Sequence, residues 1–156
     1  MPGGASQFCY NFFMYNHKPK NYTCPFCELA KGRETPQNKR EDIVYQDSET
    51  MVFLAPTWWE NNSSHIIVVP KEHGENIYDI SETLLCSVYG VVKRVAKATR
   101  AIATGQGTSV YQHNEPAGGQ DVWHFHVNLF SEYTSDSLKK DKRTYVQQVK
   151  ENLSKE

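Results

Sequence analysis

The sequence predicts one domain that mixes strands with helix, and three observations carry that prediction. Short runs rich in β-branched and aromatic residues recur along the chain, each bounded by turn residues. One stretch, opened by Ser81, repeats its apolar residues at helical spacing. The length suits a single unit: 156 residues, 38% of them hydrophobic, supply one sizeable core.

Residues 1 to 23 carry Gly3 and Gly4, then Phe8, Tyr10, Phe12, Phe13, Tyr15 and Tyr22 without a regular period. Disordered tails are poor in aromatics, so this arm or lid is expected to pack on its own core or on a second subunit. After a polar stretch from Lys31 to Arg40, Asp42–Gln46 and Thr50–Leu54 read as two strands of a hairpin separated by Asp47, Ser48 and Glu49. Residues 55–64 form a loop containing Trp58 and Trp59, a pair that more often anchors a loop than stacks a ligand. His65–Val69 is a third strand, closed by Pro70.

Ser81 caps the long helix, whose apolar face is Leu84, Val88, Val91, Val92, Val95 and Ile102. Lys93, Arg94, Lys97 and Arg100 gather towards its C-terminal end, where they complement the helix dipole, and Gly105 and Gly107 stop it. Thr108–His113 is a fourth strand, Asn114–Gly119 a turn and Asp121–Phe130 a fifth strand. In the charged stretch from Ser137 to Glu156, Tyr145, Val146, Val149 and Leu153 mark a second, weaker helix.

Composition removes several function classes. With 17 Lys plus Arg against 18 Asp plus Glu, the formal charge of −1 supplies no global field for a polyanion, so a nucleic-acid partner is not expected. Apolar runs such as Ile66–Val69 are too short to span a bilayer, and the N-terminus lacks the order of a signal peptide. The expectation is a soluble, cytoplasmic protein without a membrane partner. Four Cys are too few for a disulfide scaffold, and the Cys24-x-x-Cys27 spacing points instead to metal or redox chemistry.

The most informative segment is Gly118–Phe130. Read as a strand, it sets Trp123, Phe125, Val127 and Leu129 on one side and His124, His126 and Asn128 on the other; the same alternation puts Asp121 with Trp123. Two imidazoles on neighbouring same-face positions suit a site better than a plain solvent face. Neutral imidazole is both a nucleophile and a metal ligand. A closed zinc site of two thiolates and two imidazoles would draw on Cys24, Cys27 and two of His17, His65, His73, His113, His124 and His126, and spacing alone does not choose among them.

Together these blocks resemble a known family. Gly119-Gln120 followed by His124-Phe125-His126-Val127-Asn128, with Asn114 upstream, His65 through Pro70-Lys71-Glu72-His73, and Cys24-Pro25-Phe26-Cys27, is similar to the histidine triad superfamily of nucleotide hydrolases and transferases. The matching blocks run from about Thr23 to Phe130. The resemblance divides the chain into an N-terminal extension (1–22), a histidine triad domain (23–135) and a C-terminal helical tail (136–156).

The resemblance implies an α+β fold: a five-stranded antiparallel sheet with one long helix, joined by a C-terminal helix and usually assembled as a homodimer. It implies that His126 attacks an α-phosphorus to give a nucleotidyl-histidine, with Asn128 at the third triad position. It further implies that Asn114, Gln120 and His65 lie at the phosphate, and that Cys24, Cys27, His73 and His124 hold a structural zinc. The substrate is then a nucleotide or nucleotide conjugate, cleaved at a phosphoanhydride, phosphoramidate or phosphoester bond.

Two residues depart from the pattern. Asn128 stands where the hydrolases carry His and the galactose-1-phosphate uridylyltransferase branch carries Gln; an amide donates a hydrogen bond but moves no proton. Ala55 stands at or near the Asp that holds ribose hydroxyls in hydrolases. Two rival readings therefore stay open: a nucleotidyltransferase resembling the uridylyltransferase branch, and a catalytically weak nucleotide-binding protein.

Overall fold

The computed structural model describes residues 15–57, 64–102, 107–132 and 141–156. Trp58, Trp59, Gly105, Ser137 and the aromatics from Phe8 to Phe13, all singled out above, lie outside the described residues. Five strands form one antiparallel sheet: β1 (Ile43–Gln46), β2 (Thr50–Leu54), β3 (His65–Pro70), β4 (Gly107–Gln112) and β5 (Val127–Glu132). The strand order is β1-β2-β3-β5-β4, so the strand that follows the two histidines enters the sheet beside β3.

Alternation along β2 and β3 decides what covers each face. Val52, Leu54, Ile66 and Val68 turn to a core shared with α2 (Glu82–Arg100) and α3 (Lys142–Leu153). Met51, Phe53, Ile67 and Val69 turn to a second core with Phe26 and Leu29 of the short helix α1 (Pro25–Ala30). Both faces of these strands are covered, so β2 is buried throughout.

The long helix starts as expected: Ser81 Oγ accepts from the Leu84 amide at 3.2 Å, satisfying one otherwise orphaned donor. The last helix is capped by Asp141, which accepts from the Thr144 amide at 3.1 Å. Its Tyr145, Val146, Val149 and Leu153 enter the main core, so this end of the tail is part of the packed unit.

Three features differ from the sequence reading. The helix α1 is unannounced, being only six residues long with too little periodicity to read. The fifth strand begins at Val127 instead of Asp121, because residues 121–126 are held by other contacts. The His124 amide bonds the Val122 carbonyl at 2.8 Å and the Phe125 amide bonds Gly74 O at 2.7 Å, so this approach has no strand ladder. Asp121 consequently escapes the alternation that set it beside Trp123 on the far side. The turn before it is as expected, with Gly119 in the left-handed region at φ 86°.

Residues 15–22 pack on their own chain as a strap. The amides of His17 and Lys18 donate to the buried Glu75 carboxylate, the latter at 3.4 Å, and Asn76 Nδ2 donates to the Tyr15 carbonyl at 2.7 Å. Among the described residues no helix is long and apolar enough to cross a membrane.

Candidate functional site

The segment 124–128 serves two adjoining places. On one side Cys24, Cys27, His73 and His124 converge, each offering one ligand atom, all within 4.8 Å of one another. Cys24 caps α1, and its sulfur accepts from the Cys27 amide at 3.4 Å, so the helical turn itself brings the two sulfurs to one end. His124 Nδ1 lies 3.3 Å from Cys24 Sγ, 3.5 Å from Cys27 Sγ and 3.2 Å from His73 Nδ1, while His73 Nδ1 lies 3.4 Å from Cys27 Sγ. Zinc–sulfur and zinc–nitrogen bonds of about 2.3 and 2.0 Å at tetrahedral angles give edges of about 3.5 Å for S···N and about 3.3 Å for N···N. The four residues fit such an ion.

Their chemistry fits as well. His124 Nε2 is 2.9 Å from the Pro70 carbonyl, which can only accept; the proton therefore sits on Nε2 and the Nδ1 lone pair faces the cluster. Burial pushes the His124 imidazole down to about 4, against the opposing pull of that carbonyl, so it is neutral near pH 7. Burial and the neighbouring Cys24 push the Cys27 thiol up to about 12, so two thiolates side by side require a cation between them. His17 and His113 are engaged elsewhere: His17 Nε2 meets Glu115 at 3.1 Å, and His113 Nδ1 meets the Gly118 carbonyl at 2.8 Å.

On the other side, His126 and Asn128 face a cavity of about 730 Å³. His65, at the start of β3, joins them: its Nε2 donates to Asn128 Oδ1 at 2.8 Å and its ring stacks on Phe130 with centroids 4.2 Å apart. With Oδ1 so used, the Asn128 amide N–H groups remain as donors for a ligand oxygen. His126 Nδ1 lies 2.7 Å from the carbonyl of His124, which fixes the proton on Nδ1 and leaves the Nε2 lone pair available. Burial holds both His126 and His65 below the usual imidazole value, so both are neutral at pH 7. Phe26 places its ring T-shaped to His124 and His126, centroids 5.7 and 5.5 Å away, and so separates the cluster from the cavity with one apolar wall.

Asn114 and Gln120 are not brought to the cavity. Asn114 Oδ1 accepts from the Ile77 amide at 2.8 Å and its Nδ2 donates to Gln112 at 2.7 Å. Gln120 is buried, with Nε2 donating to the Glu75 and Val122 carbonyls at 2.6 and 3.0 Å and Oε1 accepting from the Glu115 amide at 2.8 Å. Both amides brace the turn that precedes the histidines. Asp121, by contrast, does line the cavity, and its Oδ1 is 3.8 Å from His126 Nε2. No periodicity marks it, because it sits in an irregular approach.

A family model, the HIT domain, matches residues 36–135. The chain belongs to the HIT family. A relative among HIT proteins is "Protein hit" of Bacillus subtilis, 29% identical over 110 residues, 70% of this chain and 71% of the relative. An adenosine 5'-monophosphoramidase of Saccharomyces cerevisiae is 30% identical over 106 residues, 68% of this chain and 60% of the enzyme. In structure the chain is similar to a zinc-bound histidine triad family protein of Mycobacterium smegmatis, with a TM-score of 0.70, 20% identity, and coverage of 85% of this chain and 94% of that one. The α+β fold with its five-stranded antiparallel sheet is thus the fold of HIT proteins.

Proposed function

We propose that this HIT protein is a nucleotide hydrolase that cleaves at an α-phosphate through a nucleotidyl-His126 intermediate. The observation that carries the reading is the tautomer of His126: Nδ1–H is spent on the His124 carbonyl and a neutral Nε2 lone pair faces the cavity. That nitrogen attacks phosphorus while the bond to the leaving group breaks, the electron pair going to the leaving group, which takes a proton from solvent. Asn128 N–H groups and the cavity edge near His65 suit the phosphoryl oxygens. The roles given above to Asn114 and Gln120 become those of positioning residues in the preceding turn.

Charge narrows the substrate. The described cavity lining holds Glu28, Glu34 and Asp121 but no Lys or Arg, and only Glu28 has a cationic partner, Arg33 at 2.7 Å. A polyphosphate tail would meet uncompensated carboxylates, so a single phosphoryl joined to an amine or alcohol fits better than a long phosphoanhydride chain. This agrees with the activity named for the yeast relative. Ala55 also lines the cavity and offers a ribose no carboxylate, which leaves the sugar contacts to other groups.

Cys24, Cys27, His73 and His124 would hold zinc in a closed structural site, cross-linking α1 to the segment that carries His126. A homodimer is read from β4, an edge strand whose Val110 and Tyr111 are exposed, as is Tyr89 of α2. We take residues 23–135 as the catalytic unit, since Cys24 and Cys27 reach His124 across the fold. The reduced thiols of the cluster suit a cytoplasmic setting.

A second reading, nucleotidyl transfer, is favoured by Asn128, which moves no proton. Intact-protein mass spectrometry after brief incubation with nucleoside phosphoramidates, nucleoside polyphosphates and nucleotide sugars tests both. The expected result is an adduct of one nucleotide, absent in His126→Ala. Faster release to phosphate or a sugar phosphate than to water would favour the transferase, and binding without adduct or turnover would favour a nucleotide-binding protein.

A further inference from the structure

The second half of the proposed reaction needs a group that takes a proton from water, and the third triad position does not supply one. Asn128 is an amide whose oxygen is already engaged by His65. His65 is held between that amide and the Phe130 ring, Glu28 is paired with Arg33, and Glu34 accepts from the Arg40 amide at 3.2 Å. Asp121 differs from all of them. Its side chain is 85% exposed at the mouth of the cavity, its Oδ1 stands 3.8 Å from the nucleophilic nitrogen, and it makes no hydrogen bond among the described residues. That separation is too long for direct bonding, and because the side chain is exposed and holds no partner among the described residues, rotation about its Cα–Cβ bond can carry the carboxylate outward past a group seated on Nε2.

We propose that Asp121 is the catalytic base that activates the water resolving nucleotidyl-His126; this rests on the reading of His126 as the nucleophile. With the nucleotidyl group on Nε2, the carboxylate turns outward past the phosphoryl oxygens and orients a water at the face of phosphorus opposite Nε2, the face from which the leaving group has departed. The water oxygen bonds to phosphorus, the P–Nε2 bond breaks with its electron pair returning to Nε2, and the water proton passes to Asp121. The products are a nucleoside monophosphate, neutral His126 with its Nδ1–H unchanged, and a protonated Asp121 that its exposure lets solvent deprotonate. As a carboxylate, Asp121 gives no proton to the leaving group, so the assignment concerns the second step and spares the first.

This asymmetry is what the experiment reads. The full chain and its Asp121→Asn, Asp121→Ser and Asp121→Glu variants are mixed with adenosine 5'-phosphoramidate and its guanosine, uridine and cytidine counterparts. Rapid quenching into alkali and intact-mass analysis follow adduct formation, and product release gives turnover. Asp121→Asn and Asp121→Ser should form the adduct within about threefold of the natural rate, resolve it about 100-fold or more slowly, and so accumulate it. Asp121→Glu should recover part of the resolution rate, and adding His126→Ala to Asp121→Asn should abolish the adduct. Turnover of Asp121→Asn within twofold of the natural protein would overturn the proposal. So would equal slowing of both steps, or faster adduct formation with faster turnover, which would make Asp121 a repelling charge only. Normal turnover that never yields a His126 adduct, even in the slowed variants, would overturn the nucleophile reading itself and Asp121 with it.

Discussion

His124 and His126 sit two residues apart, are almost fully buried, and are used in opposite ways. The Pro70 carbonyl accepts from Nε2–H of His124 and so turns Nδ1 to the thiols. The His124 carbonyl accepts from Nδ1–H of His126 and so turns Nε2 to the cavity. Neither ring differs chemically from the other; a single backbone acceptor decides which nitrogen is free and therefore which task the ring can perform. Because the acceptor for His126 belongs to His124, anything that anchors His124 also sets the orientation of the His126 ring.

Breaking the comparison at its cavity end should give the largest effect. His126→Ala is expected to lower turnover by at least about 1000-fold while metal content, read by elemental analysis, stays unchanged. Breaking it at the other end should do the reverse in kind: His124→Ala should lose the bound metal and lower Tm by on the order of 10 °C. It should also slow turnover, since the carbonyl at that position loses its fixed place. Metal retained in His124→Ala, or lost in His126→Ala, would undo the division of labour.

A middle-sized effect should sharpen the contrast. Asn128→Ala leaves His65 Nε2 without its acceptor and removes the amide donors, and is expected to cost about 10- to 100-fold in turnover with metal content intact. The pH profile adds a directional check. Burial lowers the His126 value, so protonation sets in only below the ordinary 6.5. Turnover controlled by this group should therefore hold as pH falls past 6.5, then drop as Nε2 gains a proton at lower pH. A midpoint above 6.5 in kcat/KM would contradict a desolvated nucleophile.

The smallest change should touch both rings alike. Ser81→Ala removes the cap of α2 and should cost about 1 kcal/mol in denaturant unfolding, without separating metal content from turnover. A selective loss of either would show that the helix supports one site more than the other.

Much of this contrast is legible in the sequence. The hairpin, the third strand and the helix from Ser81 announce themselves by period and by boundary residues, and the Cys24, Cys27, His73 and His124 set follows from resemblance and then comes together in space. What was not legible depends on contacts distant in sequence. Alternation predicts that Asp121 turns away from the histidines, but the Gly74 carbonyl captures the Phe125 amide and the ladder starts only at Val127. Asn114 and Gln120 carry the right amides, yet Ile77, Glu75 and Glu115 consume their bonding capacity within the fold. No local pattern encodes which donors such residues find.

The central claim is that His126, and not its neighbour, is the nucleophile. Mapping the nucleotidyl group onto the chain tests it most directly: label the Asp121→Asn protein with a nucleoside phosphoramidate, digest at alkaline pH, and fragment the peptide spanning residues 121–132 by electron transfer. The account expects the whole nucleotide mass on His126. The mass on His124, or on His65 in the β3 peptide, would contradict it.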